Sequence, residues 1–501
     1  MTGGTQLDVL APLAMEALAL RWSPTSARVH RVGGAARASP WLASGRPASR
    51  SAAVIAGFCG ALADGLMPGD VVLATELWGG DHTVVLDDPS ILGGVLRRGG
   101  LTVHTGPIAS DRRLLAGARR RALGRDGPLA VDSQSASLAA VVSGRPLAVL
   151  RVVANAPGAG LLRPVRTARG AAAALRALRH AASLLEEWAV AAGPRHVMLA
   201  APRASCAGVE RAIETVRRTL TARDESVYVR RQVVHNAHVI AQLEQDGARF
   251  VEELDQVPAG ATVIFSAHGV APAVRREAAE RELAVIDATC PLVAKVHSEA
   301  RRFAESGYDI ILVGHRDHDE VEGTFGEAPD HTHIVTRVGD IEHLNVADPD
   351  RVACLTQTTL AVDDTREVVD ALRRRFPRLV TPRASDICYA TQNRQDAVRA
   401  LARDCDLILV IGSANSSNSR RLVEVAERAG CHALLVEDAG AVPPAPLTGV
   451  RRVGLSAGAS APEHVVQGVV RALAGLGPVA VSQRTVRDER VRFKLPPRPA
   501  P

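Results

Sequence analysis

The chain is poor in aromatic residues and almost without lysine. Aromatics make up 3% of its 501 residues, and Lys295 and Lys494 are the only lysines. So few rings exclude a stacking platform for nucleic-acid bases. The formal charge of +6 is carried by arginines that alternate with Glu and Asp along helical stretches, a pattern of solvated helix faces rather than a nucleic-acid patch. Long hydrophobic runs are also missing. The apolar stretches, such as Leu407–Gly412 (LILVIG), are strand-sized, well short of the roughly 18 residues of a membrane span. The opening stretch carries Asp8 and Glu16 and lacks a basic start, so it reads as a poor secretory signal. A cytoplasmic protein with neither membrane nor nucleic-acid partners is expected. There is no CxxC pair, and the seven cysteines are odd in number and widely spaced, which argues against a disulfide scaffold.

What is present is an α/β pattern in a chain too long for one core. Residues 1–168 alternate apolar strands, turns and short helices. SAAVIAGFCGALADGLMPGDVVLATEL reads as helix, Pro-Gly-Asp turn and strand, and GPLAVDSQSASLAAVVSGRPLAVLRVVAN as strand, helix, turn and strand. An Ala/Leu-rich helix over Ala172–Ala192 fills a helical linker, 169–194, and ends before Gly193 and Pro194. A second α/β region spans 195–480, and 481–501 is a Pro-rich, extended tail.

The second region holds three copies of one arrangement: apolar strand, cysteine, amphipathic helix. Val209, Ile213, Val216 and Leu220 share one helical face after Cys206. Leu292, Val296 and Phe303 do so after Cys290, with Gly307 as a stop, and Ala390, Ala397 and Leu401 after Cys388. Each cysteine stands where a helix begins, and Pro291 suits a first helical position. Unpaired amide N–H groups and the helix dipole favour thiolate there, the form that binds metal. Position alone leaves two readings open, three separate buried cysteines or one shared site. A structural zinc site wants four ligands, and an iron–sulfur cluster normally takes four cysteines, so three would leave one iron open.

Six polar segments at strand ends raise the second reading. They contain His235; His268 with Gly269; His315, His318, Glu320 and Glu322; Thr356, Gln357, Thr358 and Thr359; the Ser/Asn loop Ser416, Ser417 and Asn418; and Ser460. In parallel α/β sheets ligands bind at the carboxyl ends of strands, and helix N-termini bearing Ser and Asn cradle phosphates. Taken singly, each segment also reads as an ordinary loop, or DHDEVE as an exposed acidic run.

From residue 195 onward the chain resembles the 4-hydroxy-3-methylbut-2-enyl diphosphate reductase family, the last step of the methylerythritol phosphate route to isoprenoids. CAGVERAI, VVHN, SAHGV, DATCPLV, HDEVEGT, LTQTTL, DICYATQNRQ, NSSNSRRL and SAGASAPE occur in the family's order and spacing. The resemblance implies three α/β lobes in a trefoil around a [4Fe–4S] cluster held by Cys206, Cys290 and Cys388. One iron would lack a protein ligand and take the substrate hydroxyl. It implies that His235, His268, Ser416, Ser417, Asn418 and Ser460 hold the diphosphate, that His318 and Thr358 make further substrate contacts, and that Glu320 donates the proton. A protonated histidine would add charge for the diphosphate. Ferredoxin or flavodoxin would supply electrons one at a time, and the products would be isopentenyl and dimethylallyl diphosphates. The chain departs from the pattern in four places. Ala204 and Ser205 stand where Gly-Phe is usual, Asp319 replaces a proline, and Ala294 and Ala361 replace hydroxyl residues. Asp319 beside Glu320 is expected to raise its pKa or to be a tolerated loop change.

Residues 1–168 resemble the nucleoside phosphorylase/nucleosidase family in APLAMEALAL, LMPGDVVLATEL, GPIAS, AVDSQSASLA and LAVLRVVANAPG. That family's Met-Glu is replaced here by Ser133 and Gln134, and its acid by Asn155, which implies a ligand-binding or scaffold domain without catalysis. Two rival readings are a nucleoside-processing enzyme with a degenerate second half, and a non-enzymatic iron–sulfur redox sensor. Gln134 and Asn155 weigh against the first, and the diphosphate-site residues against the second.

Overall fold

The computed structural model describes residues 7–33, 52–79, 82–111, 117–125, 127–140, 142, 144–156, 164–222 and 225–497. The first residues of the stretch read for a secretion signal and the last four of the Pro-rich tail lie outside them. The chain forms two compact units. One comprises residues 1–197, 438–453 and 467–481, and the other 198–437, 454–466 and 482–501.

In the first unit an eight-stranded sheet is built from β1 (Leu7–Ala11), β2 (Arg28–Arg31), β3 (Ala52–Ala61), β4 (Val71–Gly79), β5 (His82–Val85), β6 (Val103–Ser110), β7 (Ala130–Asp132) and β8 (Leu147–Asn155). Its order is β2-β1-β3-β7-β6-β4-β5, with β8 pairing both β3 and β4. The stretch around Ala52–Ala61, read from sequence as a helix, is strand β3. It runs parallel to β1 and β8 and is buried along nearly its whole length. A strand covered on both faces loses its alternation, so a short apolar run does not distinguish it from a buried helix. The Ala/Leu-rich helix is Pro164–Ala189 and buries Leu178, Ala181, Leu185 and Trp188. It starts eight residues earlier and stops three sooner than the apolar pattern suggests.

Three smaller sheets follow. Strands β9 (Arg195–Ala201), β17 (Leu407–Ile411), β18 (Ala433–Val436), β19 (Arg452–Ala457) and β20 (Val479–Thr485) form one of order β18-β17-β19-β9-β20. Strands β10 (Val227–Arg230), β11 (Ala248–Val251), β12 (Thr262–Phe265) and β13 (Ala284–Asp287) form the parallel sheet β11-β10-β12-β13. Strands β14 (Asp309–Val313), β15 (Thr332–Val335) and β16 (Val352–Thr356) form the parallel sheet β15-β14-β16. With their helices these are the three α/β lobes expected. The start of the tail is itself strand β20.

Each lobe sends one cysteine to a helix start. Cys206 precedes the helix Ala207–Ala222, while Cys290 and Cys388 are the N-caps of Pro291–Glu305 and Tyr389–Ala402. The third copy departs from the expected arrangement. No strand leads directly into Cys388; only the isolated bridge between Ala353 and Val380 precedes it. The sequence TPRASD before it offers a proline and polar residues in place of a β-forming run.

Arg394, fully buried on the Cys388 helix, ties this arrangement together. It donates to the Ala204 carbonyl at 2.7 and 3.0 Å, and at 3.1 Å it pairs with Glu489 of the tail. The loop it holds is strained, because Ala204 has φ +60° and is buried. A left-handed backbone costs a residue with a Cβ roughly 1–2 kcal/mol, and glycine nothing comparable. Ala204→Gly is therefore expected to raise the unfolding free energy by about 1 kcal/mol, read as a higher denaturant midpoint at unchanged slope.

Candidate active site

The twelve residues singled out from the sequence lie in the wall of one cavity in the second unit: Cys206, Cys290, Cys388, Glu320, His235, His268, His318, Thr358, Ser416, Ser417, Asn418 and Ser460. Strand ends and helix starts deliver them. His235 follows β10 and His268 follows β12, Glu320 lies in the first turn of Asp319–Phe325 after β14, and Thr358 follows β16. Ser416 caps the helix Ser417–Arg428 after β17, accepting from the Ser419 N–H at 3.3 Å. Ser460, after β19, donates to the His235 carbonyl at 2.9 Å.

The sulfurs converge. A Cβ on Gly208 would come within 2.7 Å of Cys290 Sγ and 3.9 Å of Cys206 Sγ, so glycine is required beside them. Amide groups point at the thiols: Thr391 N–H donates to Cys388 Sγ at 3.4 Å, and Leu292 and Val293 N–H groups to Cys290. Three soft donors with amide support fit an iron–sulfur cluster. Helix-start placement alone suggests low thiol pKa values, but burial outweighs it. Desolvation pushes Cys290 up to about 12 and Cys388 to about 11, and the neighbouring thiols add to this. Without a metal, three thiolates would repel one another in a dry cavity, so deprotonation is coupled to metal binding.

Glu320 is 2% exposed. Its carboxyl accepts from Thr358 N–H at 2.7 Å and from the Thr358 hydroxyl at 3.0 Å. Burial raises its pKa to about 7 against those two bonds, with Asp386 adding to the rise. Asp319 is not among the causes. Its carboxylate turns away to Arg231 Nη1 at 2.6 Å, which favours the second of the two expectations, a tolerated loop change. DHDEVE is likewise no uniformly exposed acidic run, since Glu320 is buried and Glu322 exposed.

The histidines form one group. His235 and His268 stack at 4.0 Å, and His318 stands edge-on at 5.4 and 5.7 Å. Burial lowers all three pKa values, His268 far below the usual range and His318 to about 4. The protein's own groups thus leave them neutral near pH 7. At the start of the helix Ser417–Arg428 both side-chain amide atoms of Asn418 are buried without a partner. The sequence reading passed over Gly208 and Thr391, which also line the cavity, and gave no separate role to Thr359, which lines it too, or to Gln357, whose amide donates to Thr359 Oγ1 at 2.8 Å. Their signal was present in CAGVERAI, LTQTTL and CYATQNRQ, as neighbours of the chosen residues.

The family model described as LytB protein matches residues 197–474. The chain belongs to the LytB protein family. A 4-hydroxy-3-methylbut-2-enyl diphosphate reductase of Mycolicibacterium paratuberculosis is 56% identical over 303 residues, 60% of this chain and 91% of that one. The solved reductase from Plasmodium falciparum is 39% identical, with a TM-score of 0.58, and covers 61% of this chain and 96% of its own. A Helicobacter pylori 5'-methylthioadenosine/S-adenosyl homocysteine nucleosidase shows a weak likeness, with TM-score 0.32 and 16% identity over 37% of this chain and all of its own.

In this LytB chain the buried acid makes stability depend on pH. Glu320 has a folded pKa near 7, above the ordinary 4.5. Its contribution is therefore fully present below pH 4.5 and is lost as pH rises to 7. At about 1.4 kcal/mol per unit, the loss is about 3 kcal/mol at most. Glu320→Gln cannot ionise, so the stability of the native chain relative to this variant should fall between pH 4.5 and 7 and stay flat above. Denaturation of both at a series of pH values measures the difference.

Proposed function

We propose that this chain is an oxidoreductase that removes the hydroxyl of 4-hydroxy-3-methylbut-2-enyl diphosphate, with two electrons and two protons, to give isopentenyl or dimethylallyl diphosphate and water. The observation that carries the proposal is a single cavity lined by three converging cysteines, a buried carboxyl held protonated below about pH 7, and the unpartnered amide of Asn418 at a helix start. We assign the catalytic domain to residues 195–480 and its location to the cytoplasm. Among the described residues no helix is long and apolar enough to cross a membrane.

Cys206, Cys290 and Cys388 would hold a [4Fe–4S] cluster. When bound, it supplies electrons singly, received from ferredoxin or flavodoxin, and a Lewis-acidic iron. The chain does the rest. Hydroxide leaves poorly, so Glu320 gives its proton to the departing oxygen, and Thr358, bonded to both carboxyl oxygens, fixes the direction of transfer. Ser416, Ser417 and Asn418 offer neutral donors to the diphosphate, supported by the N-terminus of Ser417–Arg428, and Ser460, whose hydroxyl is bonded to the His235 carbonyl, lines the same wall. His235, His268 and His318 complete that wall, and apolar Val209, Val234, Leu292 and Val293 exclude water from it.

For residues 1–168 we infer a ligand-binding or scaffold role without glycosidic cleavage. Buried Arg151 is tied at 2.7 Å to Asp132 and at 3.8 Å to Glu16. The Asn155 side-chain oxygen accepts from Arg120 at 2.7 Å, and Gln134 offers no proton of carboxyl strength. Purine release from nucleosides by the full chain would overturn this.

The reductase reading is tested on anaerobically purified protein with the hydroxylated diphosphate and a one-electron reductant. Iron-bearing protein and isoprenyl diphosphate product are expected. Cys290→Ser should lose iron, and Glu320→Gln should keep iron while lowering kcat by about 10²–10⁴-fold. Iron-free native protein, or no product, would sink the reading.

A further inference from the structure

The tail after β20 does not line the cavity, yet it is tied to the elements that carry all three cysteines. Arg394, on the Cys388 helix, pairs with Glu489 at 3.1 Å and reaches the carbonyls of Ala204 at 2.7 Å and Ser205 at 3.4 Å, next to Cys206. Its neighbour Asn393 donates to Glu489 at 2.9 Å. Arg211, on the Cys206 helix, donates to the Lys494 carbonyl at 2.8 Å. It also donates at 2.9 Å to the carbonyls of Ala288 and Thr289, the two residues before Cys290. Two arginines thus fix residues 489–494 across the outside of the cysteine-bearing elements.

The tail shows solvent charge of one sign. Residues 482–497 hold five cations and two carboxylates, a net +3 of the chain's +6. Arg484, Arg487, Arg490, Arg492 and Lys494 are all exposed. Glu489 is turned inward to Arg394, and only Asp488 stays outside, against Arg490 at 2.7 Å. Val486 and Val491 are exposed between the cations. Arginine beside apolar side chains is a composition that suits protein interfaces, and opposite charge steers a partner onto them. A nucleic-acid strand would want stacking rings as well, and the strip has only the half-buried Phe493.

The reaction gives such a partner a task. Each turnover takes up two electrons from outside the chain, and the cysteines are where they would be received. We propose that residues 484–494 are the docking strip for an acidic protein that carries electrons one at a time. Its carboxylates face the five cations. At each encounter the reduced carrier gives one electron to the centre held by the cysteines and leaves oxidised by one electron, and two encounters serve one turnover. This rests on the reading that the three cysteines hold a reducible cluster, and it deepens that reading by assigning where the electrons enter.

The test uses the full chain with its cluster, purified anaerobically, with an acidic flavodoxin as the probe. Calorimetry measures its binding in the oxidised form, with no substrate present. Binding that weakens with added salt is expected. The triple variant Arg487→Glu, Arg490→Glu, Arg492→Glu should bind at least about tenfold more weakly, with iron content unchanged. Its kcat/KM for reduced flavodoxin should fall by a similar factor, while turnover with reduced methyl viologen, a small cation, is not slowed. Unchanged flavodoxin binding in the variant, an equal loss with both reductants, or tighter binding of a single-stranded oligonucleotide than of flavodoxin overturns the proposal. Calorimetry needs no turnover, so docking can fail while viologen still drives product formation, and can hold where no product forms.

Discussion

Desolvation governs the second unit. Three thiols from three lobes, a carboxyl and three imidazoles share one cavity, and burial moves six of those seven groups toward their neutral forms. Helix starts, amide donors and the Asp319 carboxylate act against this and lose, while the neighbouring thiols, the other histidines and Asp386 add to it. The cavity without its metal is therefore a neutral place. Charge would enter with the ligands: a metal with the thiolates, and substrate with its diphosphate. A site that pays nothing to hold charge before binding has its strongest electrostatic interactions once water is excluded.

The same cavity requires close backbone approach, and small residues provide it. Gly208 leaves space for the sulfurs. Gly412 and Gly458 both crowd Ser419, where a Cβ would come within 2.2 and 2.0 Å of its hydroxyl, and so allow the Ser/Asn loop to sit against two strand ends. Arg394 then links the loop before Cys206 to the Cys388 helix and the tail. Its burial is tolerable because every bond it makes goes to a carbonyl or to Glu489.

Much of this was legible in local patterns. The strand–loop–helix signals around His268, Ser416 and Ser460 are short-range and survive folding unchanged. Strand β3 was not legible, because burial on both faces erases its period. Nor was the missing strand before Cys388, where a helical motif after the cysteine suggested a symmetry that the preceding residues do not have.

The sequence by itself determined that three cysteines would cap three helices, and which polar residues would stand at strand ends, because caps and strand ends depend on neighbours a few residues away. Protonation was decided only by the tertiary structure. Whether Cys290 is thiolate, His268 charged or Glu320 acidic depends on how much water the other lobes exclude. The partner of Asp319 was decided there as well. Adjacent in sequence to the proposed acid, it turns instead to Arg231 and the two stacked histidines, contacts made by chain 50 or more residues away.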